Sequence, residues 1–352
     1  MGNLIKFAFF TGIAFTNYAL KSSSLLSLSV ISVVGLSLIS FKPIRINKDK
    51  MVLSLFMLLW VLLASDWLYA IIWFLFTFFL ARGIERTLSD RDIETIALSF
   101  ILISIISYLF AIYGYPSRFL IFETIKGENT ALFMTTYTRH KGTFHEPAIF
   151  GFYSVLTFVL VQNYLKGYLA RIVMILALIN VFISASTMSA TILLVYTFLF
   201  MPDIRKYLLI LFVTAAVYFP DWINIVLALY SKVLNFFSAE VGSAEVRREA
   251  YSLISSNEFW SVFGNGLGSV SENDVKLFSV PFHFLYELGV TGFLIFIVAQ
   301  WIEFRRYLSI KLALPLLQLF VISAWWLPII YLYLSFIIYN EEKNSLSSSQ
   351  QI

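Results

Sequence analysis

The residues best suited to chemistry lie between 139 and 151, in the run RHKGTFHEPAIFG. Arg139, His140, Lys141, His145 and Glu146 crowd together there, with Gly142 and Pro147 among them. Two of the three histidines of the chain fall in this segment, which stands directly before an apolar span. Ionisable groups are costly to hold at a membrane boundary, so a cluster of them is by default a functional-site hypothesis. The plain alternative is a solvated loop whose charges happen to be local. Most other loops of the chain are short and carry one or two charges, which weighs against it.

A second set of polar residues follows much later. Ser243 can cap a helix that carries Glu245, Arg247, Arg248, Glu249 and Tyr251, with Arg247 and Tyr251 on one face. Next comes FGNGLGS, residues 263–269, a turn-rich segment where backbone at Gly266 and its neighbours can approach a ligand closely, or else a plain loop. The chain then returns through PFHFLYELGVTG, which puts His283 and Glu287 four residues apart on one helix face. A lone histidine at a membrane edge is more often structural than catalytic. Here it gains weight because the other charged clusters share its side.

Arginine forks bind phosphate or pyrophosphate bidentately and stay charged. A carboxylate or histidine can take a proton from a hydroxyl nucleophile. The one DxD, Asp90-Arg91-Asp92, lies outside the two long loops, which offer few clustered aspartates, so the set holds no acidic pair at metal-ligand spacing. Arginines would then stabilise a leaving pyrophosphate, the task a divalent ion performs elsewhere.

The elements that must position these groups are apolar. The 352 residues are 59% hydrophobic and 13% charged, and the mean hydropathy is +0.83. A soluble domain carries about 25% charged residues, so the chain needs a bilayer as its solvent. Thirty-six phenylalanines and 19 tyrosines suit lipid-facing and interfacial positions. With no cysteine there is no disulfide framework. No cleavable signal pattern opens the chain, so residues 4–20 read as a first span.

Apolar runs bounded by charge or turn residues follow at about 24–41, 51–64, 68–81, 95–113, 148–165, 172–184, 190–200, 207–219 and 284–302. The run 312–339 is too long for one untilted span. Split at Ala324-Trp325-Trp326 it gives about twelve spans, and unsplit eleven. The expected fold is therefore all-α, one integral membrane domain over 1–352. Its two large loops cover about 114–146 and 220–283, the second with an interfacial helix at 223–237, and a disordered tail covers about 341–352. Basic residues crowd the short loops opposite the two long ones. This puts both termini in the cytoplasm and both long loops outside. The basic balance answers acidic lipid headgroups, not nucleic acid. No P-loop or dinucleotide fingerprint is present, which weighs against ATP-driven chemistry in this chain.

The order R-x-x-G-x-F-x-E-P-x-x-x-G before one span, R-x-x-x-Y leading to G-x-G-x-G, and H-x-x-x-E-x-G opening another span resembles the O-antigen polymerase (Wzy) family and its O-antigen ligase (WaaL) relatives. The resemblance covers roughly residues 139–296 and the hydropathy of the whole chain, and its first block is the most specific. It implies a polytopic, metal-independent glycosyltransferase of the GT-C type that needs no cofactor and acts at the periplasmic face of a bacterial inner membrane. The donor and acceptor would be glycans on undecaprenyl pyrophosphate. A chain-length regulator and a flippase would be its protein partners. By the same resemblance Arg139 and Arg247 match the family's essential loop arginines, His283 its loop-end histidine and Glu146 its Glu-Pro. With these four as catalytic groups, Lys141, His145, Arg248, Tyr251, Gly266 and Glu287 are expected to bind substrate. The chain departs from the pattern in the short gap between His283 and Glu287 and in the hairpin SASTMSA, which lacks the arginine often found after its serine.

The polymerase extends glycan on its carrier, whereas a ligase moves finished glycan onto lipid A core. Acidic residues from Glu240 to Asp274 offset the basic ones of the second loop, which favours polymerase over a ligase facing a phosphorylated core. A lipid or solute transporter is the rival from another class. It would show repeats and ionisable residues at mid-span, and the expected span centres are nearly free of charge.

Overall fold

The computed structural model describes residues 2–15, 28–39, 48–75, 90–113, 128–132, 135–144, 146–184, 186–204, 252, 260–273, 277, 279–304, 310–320 and 333. Helices carry the fold. They are α1 (Gly2–Ile13), α2 (Leu28–Ile39), α3 (Lys48–Leu62), α4 (Trp67–Leu75) and α5 (Asp90–Tyr113). After a two-stranded hairpin, β1 (Glu128–Leu132) with β2 (Thr135–Arg139), come α6 (Pro147–Tyr164), α7 (Tyr168–Ser184) and α8 (Thr187–Phe200). The short α9 (Ser269–Glu272), the long α10 (Val280–Phe304) and α11 (Ile310–Leu316) follow. A 3-10 turn at Leu317–Phe320 ends the series. Among the described residues, three helical stretches are long and apolar enough to cross a bilayer: Arg91–Ile112, Pro147–Tyr164 and Val280–Ile302. Met51–Leu62, Tyr168–Ser184 and Met188–Phe200 are shorter apolar helices. The expected span at 207–219, the interfacial helix at 223–237, the split at 324–326 and the tail at 341–352 lie outside the described residues.

The centre of the molecule is α6. Every residue from Ile149 to Val161 in it is buried. A helix surrounded by protein needs no polar face. It packs against α5, α7, α8 and α11. Small residues let the backbones close in. A Cβ on Gly151 would stand 3.0 Å from the Cβ atoms of Ser186 and Ser189 at the start of α8. On α5 the buried stripe Ile93, Ile96, Ala97, Phe100 and Ile103 follows helical spacing, while Leu98, Leu102, Ile105 and Ile112 face outward. Apolar residues on both faces fit a helix with protein on one side and lipid on the other.

Several polar groups inside are paired with one another. Asn180 donates to Ser104 Oγ at 2.8 Å, and Ser189 donates to Gln318 Oε1 at 2.6 Å. Thr157 and Tyr333 share a hydrogen bond. The ammonium of Lys6 on α1 holds both oxygens of Asp92 on α5, at 3.0 and 3.1 Å.

Two features depart from the sequence reading. The first long loop contains the β1–β2 hairpin, in which Arg139 stands opposite Glu128. The helix expected to begin at 284 begins at Val280 and breaks at Gly289, whose φ is 67° and ψ −178°. A helix cannot continue through that conformation, so α10 is two helical pieces joined by an extended glycine.

Candidate functional site

The first motif block forms a turn between β2 and α6. The His140 amide donates to Ile183 O at 3.2 Å, which ties the turn to the end of α7. The Phe144 amide donates to Lys141 O at 2.9 Å and closes it. Gly142 takes φ +54°, and a Cβ there would sit 3.0 Å from the Ser107 Cβ on α5, so the turn lies flat on that helix. Phe144 anchors it as a fully buried ring stacked on Phe150, 5.6 Å away. This seating buries Lys141 to 3% exposure. Thr143 is fully buried, and its hydroxyl has no hydrogen-bond partner among the described residues. Burial holds the pKa of His140 below its ordinary value, which leaves the imidazole neutral and able to accept a proton.

Glu146 occupies the N-cap position of α6, and Pro147 follows at the first helical position. Proline fits there because its missing N–H is one the helix start does not use. The Glu146 side chain makes no capping hydrogen bond and is exposed. Its carboxylate therefore faces outward at the positive end of the α6 dipole.

The second group sits on α10. His283 and Glu287 stand one turn apart, with His283 Nε2 3.4 Å from Glu287 Oε1. Both are buried, Glu287 to 1% exposure. The same Oε1 accepts the Gly268 amide at 3.0 Å, whereas Oε2 has no hydrogen-bond partner among the described residues.

The glycine-rich segment 261–269 is the counterpart of the break at Gly289. The break frees backbone groups that must be satisfied away from water. The Asn265 and Gly266 amides donate to Tyr286 O and Glu287 O at 2.9 and 3.0 Å. Beyond the break, the Val290 and Thr291 amides donate to Ser261 O and Val262 O at 3.1 and 3.2 Å. Trp60 Nε1 on α3 donates to Leu288 O at 2.7 Å and to Phe263 O at 3.0 Å. Glycine is required where the two backbones touch. A Cβ on Gly264 would lie 2.6 Å from the Glu287 carbonyl carbon, and one on Gly266 would lie 2.6 Å from Leu63 O. Ser65 completes the seat by donating its hydroxyl to Leu267 O at 3.0 Å.

The structure thus places His283 and Glu287 on α10 with Gly266 seated against them, and Lys141 and Glu146 at the mouth of α6. Arg139 closes β2 beside the second group of these. His145, Arg247, Arg248 and Tyr251 lie outside the described residues. Sequence reading did not single out Trp60, Ser65 or Thr143. Trp60 acts on carbonyls more than 200 residues away in sequence, and no local pattern signals that. Among the described residues no three His, Asp or Glu side chains gather as metal ligands. No family model, curated protein or solved structure matches the chain.

Proposed function

We propose that this chain is a metal-independent glycosyltransferase that joins undecaprenyl-pyrophosphate-linked repeat units into O-antigen or capsular polysaccharide. It works at the periplasmic face of a bacterial inner membrane, as a GT-C-like protein of about twelve spans with both termini cytoplasmic. The observation that carries this reading is the burial of ionisable groups at the starts of two membrane-length helices. Lys141 is buried before α6, and the His283–Glu287 pair is buried in the first two turns of α10. Such groups are expensive in an apolar surrounding and cluster where they act. They come from two of the three motif blocks that carry the family resemblance.

The reaction is an inverting displacement at the donor's anomeric carbon. The acceptor hydroxyl attacks and the pyrophosphate leaves with the bonding pair. Arg139 and Arg247, with Lys141 and Arg248, neutralise charge on that leaving group. Glu146 or His283 orients or deprotonates the hydroxyl, and His145, Tyr251, Gly266 and Glu287 hold the glycans. Arg139→Ala costs about 2–4 kcal/mol of transition-state stabilisation, roughly 30- to 1000-fold in rate. Unchanged glycan length and amount in that variant, at normal expression, would refute the role of Arg139.

The deciding experiment is a polysaccharide gel of a strain lacking the gene. Lipid A core bearing a single repeat unit, with the ladder gone, is the polymerase result. Glycan absent from lipid A, with polymer accumulating on its carrier, assigns the ligase activity instead. The broken helix α10 is a specific observation on the transporter side, because transporters place binding sites at discontinuous helices. An unchanged ladder, with flux through liposomes holding the purified protein, would establish that reading.

A further inference from the structure

Glu287 divides its two oxygens unequally. Oε1 is engaged by the Gly268 amide and faces His283 Nε2, while Oε2 is buried with no donor among the described residues. A carboxylate oxygen taken out of water calls for a hydrogen-bond donor. The protein holds this side chain firmly by one oxygen and leaves the other with its lone pairs open. The neighbouring His283 keeps a tenth of its side chain exposed, while Glu287 itself keeps 1%. Beside it run the exposed residues Val262, Phe263 and Asn265. Exposed apolar side chains near a buried acceptor suit a sugar, which offers C–H faces and hydroxyl donors.

We propose that Glu287 Oε2 accepts the hydrogen bond of the acceptor sugar's nucleophilic hydroxyl and takes its proton during transfer, with His283 and the Gly268 amide fixing the carboxylate through Oε1. This inference rests on the glycosyltransferase reading and assigns the base to Glu287, in place of Glu146 or His283. In the step the acceptor O–H bond breaks and its proton goes to Glu287 Oε2. The oxygen's electron pair forms the new bond to the anomeric carbon. The bond from that carbon to the pyrophosphate oxygen breaks, and its pair leaves with the pyrophosphate. His283 is then a positioning residue. Its neighbourhood explains the short spacing of histidine and glutamate: one helical turn is the separation that lets the two side chains meet.

The test uses the full chain in the deletion strain and as purified protein. Glu287→Gln keeps the shape and can still accept from the Gly268 amide, but it cannot take a proton. The expected result is loss of the ladder and a rate at least about 100-fold down. Protein amount and elution volume should be normal, and binding of undecaprenyl pyrophosphate should stay within about twofold of wild type. His283→Gln should lower the rate less than Glu287→Gln. A ladder and rate within about threefold of wild type in Glu287→Gln would overturn the proposal. Loss of undecaprenyl pyrophosphate binding together with the rate would also overturn it, since Glu287 would then be holding the fold of the donor site. Failure of the underlying reading looks different: the deletion strain itself keeps its ladder, whatever residue stands at 287.

Discussion

Replacing Gly289 with alanine tests the account of the broken helix. The backbone there has φ 67° and ψ −178°, a region almost reserved for glycine. Holding alanine in it costs about 1–3 kcal/mol. The added Cβ would stand 2.6 Å from Ser261 O and 2.7 Å from the Phe263 carbonyl carbon, and would also press on the Gly264 nitrogen. Ordinary contact is about 3.5 Å, so the loop must retreat by roughly 1 Å. That retreat weakens the four backbone hydrogen bonds from residues 261–266 to α10. Each contributes about 0.5–1.5 kcal/mol, so losing them costs roughly 2–6 kcal/mol. With partial relaxation, a total of about 4 kcal/mol is expected. At roughly 2 °C per kcal/mol for a chain of this size, the apparent Tm in detergent should fall by about 8 °C. Gly167→Ala is the control. Gly167 also has a positive φ, of +95°, but nothing lies within 4 Å of its Cβ position. It carries only the left-handed strain of about 1–2 kcal/mol. Equal Tm shifts in the two variants would refute the idea that the loop is seated against the break.

The Lys6–Asp92 pair and His140 give two further expectations. Lys6→Met leaves the Asp92 carboxylate, 2% exposed, without its Lys6 partner. Because Lys6 keeps a fifth of its side chain in solvent, the cost sits near the low end for buried pairs, about 3 kcal/mol. Lys6→Met combined with Asp92→Leu should recover most of it, and strictly additive Tm losses would contradict the pairing. His140 has its pKa lowered by burial, so the unfolded chain binds more protons in the window below the ordinary value of about 6.5. Stability should therefore fall as pH drops through that window and level off below the folded pKa. His140→Gln should flatten this slope in a Tm series from pH 7.5 to 5.5.

The helices around α6 are legible because each is a single apolar run ended by charge or a turn. The expected 148–165, 172–184 and 190–200 correspond to Pro147–Tyr164, Tyr168–Ser184 and Thr187–Phe200. Proline at the start of α6 fixes its first turn, and Gly167 fixes the reversal into α7. The break at Gly289 is not legible, since a glycine in an apolar run is usually tolerated within a helix. What decides it is the seat offered by residues 261–266 and Trp60, and those contacts are long-range. The same holds for Asp92. Its neighbours read as an ordinary charged helix start, and its burial depends on a lysine 86 residues earlier. The site was legible as residue types at a membrane boundary. Its division between the mouths of α6 and α10 depends on packing that spacing does not encode.

The depth of the polar groups on α10 bears on the choice between chemistry and transport. His283 lies in the first turn and Glu287 in the second, with the break just beyond at Gly289. Past the break the helix reads VTGFLIFIVAQWI, which holds no ionisable residue. Its rings close the space beneath the pair: Phe284 packs on Phe296 with centroids 4.4 Å apart and on Phe293 at 6.4 Å. Leu288 and Ala299 are fully buried in the same cluster. A transport path needs a polar route or a rocking interface that opens to the second side of the membrane. Here the ionisable groups stop within about 11 Å of the helix start, at 1.5 Å per residue, above a cluster of apolar side chains. Opening that cluster would separate Trp60 from the carbonyls of Leu288 and Phe263, and buried carbonyls left without donors are costly. Ionisable groups confined to the start of α10 fit the proposed transfer at one face better than a polar route along the helix.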